Sequence, residues 1–191
     1  MGRAGVIAVG AATLIAGTLS GFADPPKKLA PCLACHGEKG QSDNEKVPSL
    51  GAQPAPYSVI QLFLFREKMR VVEPMNEAAK ELSDGDLQSL ADALAALPAP
   101  KPPANPGDPA RLERARALTE QNHCNICHRS DFSGQGNVPR LANQREDYLL
   151  KALRDYKSGA RKGYDPVMVE VVQSLDDAQL VELASYLSHL R

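Results

Sequence analysis

The sequence has no tryptophan, and only 5% of its 191 residues are aromatic, namely four phenylalanines and five tyrosines. That leaves a chain of this length short of the large rings that usually dominate an interior. It has no excess of charge, the formal net charge being −1, which excludes the basic face that nucleic-acid binders need. Beyond residue 23 there is no long apolar run, so a multi-span membrane protein is excluded. A 43% hydrophobic and 24% charged composition also excludes wholesale disorder. The length allows one domain or two small ones. There are only four cysteines, and their placing is informative.

The first 23 residues read as an export signal. Arg3 is followed by an uncharged apolar stretch, and Gly21 and Ala23 suit the −3 and −1 positions of a cut before Asp24. An uncleaved membrane anchor is the alternative, since the stretch approaches the ~20 residues that span a bilayer. Removing residues 1–23 leaves 168 residues of net charge −2.

The remainder is a tandem repeat. Cys32-Leu-Ala-Cys35-His36 recurs as Cys124-Asn-Ile-Cys127-His128. Val47-Pro48, Leu50, Gln53 and Tyr57 match Val138-Pro139, Leu141, Gln144 and Tyr148. Met75 matches Met168, and Leu87, Leu90, Ala91, Leu94 and Leu97 match Leu180, Leu183, Ala184, Leu187 and Leu190. Between the copies, six of the twelve residues from Pro98 to Pro109 are proline. Such a segment favours an extended, semi-rigid path and reads as a linker. The expected division is 24–97, a linker at 98–109, and 110–191.

Each copy reads as helical, giving an all-α fold. The patterning predicts helices over 111–121, 57–68 and 148–157. Ser83 with Asp86, and Asp176 with Gln179, read as capping boxes opening the last helix of each copy. The spacing 87, 90, 91, 94 and 180, 183, 184, 187 marks one buried face on each. The stretches 37–56 and 129–144 are rich in Gly, Pro, Ser and Asn. They read as long loops, unusual unless something holds them.

A Cys-x-x-Cys-His run admits three readings. A redox disulfide would need a strand-rich surround, which is missing. A zinc site would need a fourth ligand that neither copy offers in matched position. Covalent haem c uses both thiols and places the histidine on the iron. Two such runs in an exported chain, using every cysteine, favour haem c twice. His36 and His128 are then the proximal ligands. Met75 and Met168 are the candidates for the sixth position, because a methionine stands in equivalent register in both copies. Met69 has no methionine partner and is expected as core or haem contact. His123 lies beside a thiol, and His189 ends the last helix, where a cation suits the dipole. A thioether opposite an imidazole raises the potential. It also fills the sixth position, so one-electron transfer rather than catalysis is the expected chemistry.

The sequence resembles the two-haem cytochrome c4 family, tandem class I cytochromes c. The likeness rests on CLACHG and CNICHR, VPSL and VPRLANQ, RKGYDPVM, and the leucine-led final helices. It implies two cytochrome c domains packed face to face, with the carbonyls of Pro48 and Pro139 orienting the ligand histidines. It further implies a periplasmic or membrane-associated carrier. The expected donor is a quinol-oxidising complex or dehydrogenase, and the expected acceptor a terminal oxidase. Alternatives are a haem-bearing subunit of a dehydrogenase, flavocytochrome-like, and a two-haem peroxidase. Two departures stand out. After a cut before Asp24 only eight residues, 24–31, precede Cys32, leaving little room for a leading helix, and the segment from Arg70 to Met75 is two residues shorter than that from Arg161 to Met168. Residues 24–97 carry net charge −3 and residues 98–191 carry +1. This is ordinary solvated surface or, on a functional reading, a difference that steers the two ends to different partners.

Overall fold

The computed structural model describes residues 1–2, 26–161 and 166–191. The expected export segment, beyond its first two residues, lies outside these, as do residues 162–165 of the RKGYDPVM motif. Among the described residues there are helices and no strand; an isolated bridge joins Gln135 and Val138.

The first unit contains α1 (Leu29–His36), α2 (Ala55–Arg66), α3 (Glu73–Ala79) and α4 (Asp84–Ala96). The second contains α5 (Pro109–Gln121), α6 (Cys124–His128), α7 (Glu146–Ser158), α8 (Pro166–Gln173) and α9 (Asp177–Ser188). Both expected capping boxes form. Ser83 accepts from the Asp86 N–H and Asp176 from the Gln179 N–H, and each third-position side chain returns the bond. Pro109 takes the first position of α5, with Asp108 capping the Ala110 N–H. Proline suits that position because the helix leaves its N–H unpaired there. α5 thus begins on the last residue of the expected linker. The expected helices appear with shifted ends, and 37–54 and 129–145 are loops. Not anticipated are α1 and α6, which carry the Cys-x-x-Cys-His runs, and α3 and α8, the short helices that carry Met75 and Met168.

The packing repeats. α2 lies against α3 and α4, as α7 lies against α8 and α9. Leu29, Leu90 and Leu94 form the core of the first unit. Phe132, Leu149 and Leu187, then Leu175, Leu180 and Leu183, form that of the second. α5 packs on α9 and has no counterpart among the described residues of the first unit. The backbone of the loops repeats as well. Leu50 N–H bonds Gly40 O, as Leu141 N–H bonds Phe132 O. Ala52 N–H bonds Leu94 O, as Asn143 N–H bonds Leu187 O. Ala52 and Asn143 both have left-handed φ, 53° and 60°. Repetition of a rare conformation at matched positions carries the tandem relation from sequence into geometry. The linker is tied down at its start: Gln41 exchanges two hydrogen bonds with the Lys101 backbone. A Cβ on Gly51 would lie 2.2 Å from Pro98 O, so only glycine admits the linker there.

One ion pair fastens α1 to α4. Lys28 Nζ lies 2.7 Å from Asp86 Oδ2, which also accepts from Ser83. The Lys28 ammonium, then the Ser83 bonds, hold the Asp86 carboxyl down at about 2, against 3.8 unfolded. A depressed acid stabilises the fold above its unfolded value, and that stability is lost as pH falls through the folded value. In Asp86→Asn, the part of the acid destabilisation falling between about pH 4 and pH 2 should be smaller. Denaturant midpoints measured across that range check this.

Candidate functional site

The two Cys-x-x-Cys-His runs sit in α1 and α6, and in both the histidine is the buried end. His36 is 5% and His128 4% exposed. Nδ1 of His36 donates to the Pro48 carbonyl at 2.7 Å, and Nδ1 of His128 to the Pro139 carbonyl at 2.9 Å. A carbonyl only accepts, so the proton is on Nδ1 and Nε2 carries the lone pair of the neutral ring. For His36, burial favours that neutral form, partly opposed by the Pro48 bond. Cys35 and Cys127 are exposed, Cys32 and Cys124 half-buried, and none of the four is in a disulfide. Burial pushes Cys32 and Cys124 up. No group of three or more His, Cys, Asp or Glu is arranged to hold a metal ion among the described residues.

Met75 and Met168 are half-buried. Both line the same cavity as His36 and His128, one continuous space of about 240 Å³ that is partly open to solvent. Pro48, Pro139 and Cys127 are also on its wall. Met69 is neither core nor a contact of this space: it is 59% exposed and lies off the wall. His123 is exposed at the start of α6. His189 is turned back, its Nδ1 2.7 Å from Ser185 O.

The cavity runs between the two units, and reciprocal bonds close its rim. Gln53 donates to Arg140 O and accepts from Arg140 N–H, at 2.9 and 3.0 Å. Gln144, its repeat mate, does the same to Ser49, at 2.8 and 2.7 Å. Tyr57 accepts from Arg161, and Tyr148 from Arg70. Arg70 stacks on Phe65 and Arg161 on Tyr156, each at 4.6 Å. Every one of these residues has its repeat counterpart in the equivalent role on the other side. This is the self-complementary pattern of a two-fold interface, made within one chain. Gln53, Tyr57, Gln144 and Tyr148 are legible in the sequence as repeated positions, but not as an interface. Burial acts to raise the Tyr148 phenol; the guanidinium groups of Arg161 and Arg70 outweigh it and hold it at about 8.

Ser49 is 2% exposed, and its N–H and C=O both depend on Gln144. Gln144→Leu should therefore destabilise the fold by about 1–3 kcal/mol, the cost of stranding buried polar groups. A lowered denaturation midpoint at unchanged haem content is the check.

A haem c fits this space on its own evidence. The wall is mostly apolar, as a porphyrin requires. Three arginines, Arg70, Arg140 and Arg161, line it, with no aspartate or glutamate among the described lining residues. Arg140 Nε is buried without a hydrogen-bond partner. Buried cations require anions, and a haem c would bring carboxylates to this wall.

Helices wrapped about a shared apolar cavity, with a repeated Cys-x-x-Cys-His and a buried carbonyl-held histidine on each side, define a tandem c-type cytochrome. The cytochrome c family model matches residues 112–191. Cytochrome c4 of Thiocapsa roseopersicina is 31% identical over 174 residues, covering 83% of this chain and 86% of that protein. The thiosulfate dehydrogenase electron acceptor of Thiomonas intermedia is 31% identical over 178 residues, covering 87% and 82%. The solved structure of reduced recombinant cytochrome c4 from Pseudomonas stutzeri superimposes with a TM-score of 0.77 at 26% identity, covering 86% of this chain and 95% of that one. The chain belongs to the cytochrome c4 family. Its cofactors are two covalently bound haems c, with iron, and its chemistry is electron transfer.

Proposed function

We propose that this chain carries single electrons between respiratory partners through two haems with histidine–methionine ligation. Cys32 and Cys35 hold one haem, and Cys124 and Cys127 the other. His36 and Met75 take the axial positions of the first iron, His128 and Met168 those of the second. The carbonyls of Pro48 and Pro139 orient the imidazoles. When bound, haem iron supplies a one-electron Fe(III)/Fe(II) couple. The protein supplies burial, fixed ligands and charge, which tune it. With both axial positions taken, no coordination site is left for peroxide, so the chain is a carrier and not an enzyme. The observation that bears most weight is that His36, Met75, His128 and Met168 line one cavity. That supports two irons close enough to exchange electrons.

The reading extends to the whole chain. Residues 1–23 direct export to the periplasm, 24–97 and 110–191 form the two haem domains, and 98–109 link them. No helix among the described residues is long and apolar enough to cross a membrane. A quinol-oxidising complex or a dehydrogenase is the donor, and a terminal oxidase the acceptor. The relative described as a thiosulfate dehydrogenase electron acceptor favours a second reading, in which the chain is the haem partner of a dehydrogenase. Purification at native abundance separates them. A free carrier elutes alone, and once reduced it is reoxidised by oxidase-bearing membranes. A subunit elutes in fixed stoichiometry with a catalytic chain, and membranes do not reoxidise it on its own. Peroxide turnover would contradict both.

A further inference from the structure

The contact between the units is reciprocal at Gln53 and Gln144, and the reciprocity stops one residue further on. Arg145 and Asp147 correspond in the repeat to Pro54 and Pro56. Arg145 and Asp147 pair side by side, Nε to Oδ1 at 3.0 Å and Nη2 to Oδ2 at 2.8 Å. Each then makes one bond across to the first unit. Arg145 Nη1 donates to Ser42 O at 3.2 Å, and Asp147 Oδ2 accepts from the Lys46 N–H at 2.9 Å. Both side chains are largely buried, 25% and 28% exposed. Burial acts to raise the Asp147 carboxyl; the Arg145 bonds and then the Lys46 N–H outweigh it and hold it below the ordinary carboxylate range, so the acceptor stays charged. Prolines cannot return such a clasp, because their side chains have no donor or acceptor.

The loop that is clasped is the one that needs it. Residues 42–47 correspond to 133–138. In the second unit that stretch closes on itself, Gln135 N–H to Val138 O at 3.0 Å and Val138 N–H to Gln135 O at 2.8 Å. In the first, Val47 N–H bonds Asn44 O at 3.2 Å, but Asn44 N–H turns to Ser42 Oγ instead. Half of the self-closure is replaced by a clasp from the other unit. Lys46 holds a left-handed φ of 58°, which a non-glycine residue keeps only where its surroundings enforce it. Two residues on lies Pro48, whose carbonyl accepts from His36. It stands between two tethers to the second unit, Lys46 on Asp147 and Ser49 on Gln144. The same loop reaches the attachment run: Ser42 Oγ and Asn44 Nδ2 both donate to Cys35 O, at 3.3 and 2.6 Å.

We propose that Arg145 and Asp147 are positioning residues for the first haem: they clasp residues 42–46 from the second unit and so hold Pro48 against His36, while Pro54 and Pro56 give the second haem no equivalent clasp. The inference rests on the reading of His36 as a ligand of the first iron. A ring N–H donated to a carbonyl makes the other ring nitrogen a stronger donor, which favours Fe(III). Loosening the clasp weakens that bond and raises the midpoint of the first haem alone. The field of the two charges acts differently: losing the carboxylate would raise a midpoint, and losing the guanidinium would lower it.

The test is a spectroelectrochemical titration of the full holoprotein, with hydrogen–deuterium exchange at the ligand-ring N–H groups followed by nuclear magnetic resonance in the reduced state. The midpoints are assigned by which signal changes in Met75→Ala and in Met168→Ala. Arg145→Ala and Asp147→Ala are both expected to raise the first midpoint and leave the second in place. Both should speed exchange at His36 about tenfold, as the loss of one charge-assisted hydrogen bond implies, and leave His128 unchanged. Arg145→Lys, which keeps a charged donor, should restore both readouts in large part. Arg154→Ala, which breaks the more exposed Arg154–Asp177 pair of the second unit, should change neither. Should an alanine variant fail to accumulate, Asp147→Asn serves, because it too should speed exchange at His36, which removal of a charge alone does not do. First-midpoint shifts of opposite sign in the two alanine variants, unchanged exchange at His36, or equal movement of both haems overturns the clasp. Fewer than two haems per chain in the wild-type protein, or wild-type ligation in His36→Ala, would instead overturn the reading on which it rests.

Discussion

Met168→Ala is expected to leave the second haem covalently attached while its iron loses the thioether. The midpoint of that haem should then fall by a substantial part of the roughly 0.8 V that axial ligation spans. The reason is chemical. A thioether is a soft donor that favours Fe(II), and without it the iron keeps His128 and takes water or nothing. Met168 sits on α8, which packs against α7, so truncating one half-buried side chain leaves its helix anchored. The signature is a high-spin fraction and the loss of one methionine–iron charge-transfer band. Met75→Ala on α3 should do the same to the other haem. Met69→Ala is the control: Met69 is 59% exposed and should leave both bands in place. If Met168→Ala keeps wild-type ligation and midpoint, the sixth ligand lies elsewhere.

The second large effect concerns folding. Cys124→Ser combined with Cys127→Ser removes the covalent attachment of one haem, and the second unit is then expected to unfold. Its buried apolar side chains form two small groups, around Phe132 and around Leu180. Between them and the first unit lies the cavity. At about 24 cal/mol per Å³, leaving a cavity of about 240 Å³ unfilled costs about 6 kcal/mol, comparable with the ~5–15 kcal/mol stability of a whole domain. Far-ultraviolet circular dichroism should show the loss of the helices from α5 to α9. Retention of full helical content with half the haem would show instead that the apolar groups alone sustain the unit. The shortage of aromatic residues, an apparent weakness of the sequence, is on this account the space the cofactors fill.

Local features were legible in the sequence because their causes are local. The capping boxes at Ser83 and Asp176 need only residues three apart, and both form. The repeat register located Met75 and Met168, because equivalent copies constrain one another. It did not reveal α3 and α8, which have seven and eight residues. Helices so short depend on packing against α2 and α7 rather than on their own propensity. The interface was hidden for a different reason. Gln53 and Gln144 bind backbone atoms of Arg140 and Ser49, and any residue supplies a backbone, so the partner position leaves no mark. Arg70 and Arg161 look like ordinary surface charges until the loops fold them inward. Had one asked why Gln and Tyr recur at fixed distances after both Val-Pro pairs, outside any apolar pattern, the recurrence would have pointed to the pseudo-two-fold contact.

The central claim is that each Cys-x-x-Cys-His binds a haem whose iron is held between a histidine and a methionine of the same unit. The most direct measurement is a redox titration of the purified holoprotein, followed by optical absorption and electron paramagnetic resonance. The account predicts two haems per chain, both low-spin. Each should show a methionine–iron charge-transfer band when oxidised, and they should titrate in two one-electron steps. One haem per chain, or a wild-type iron that is high-spin at neutral pH, would contradict it.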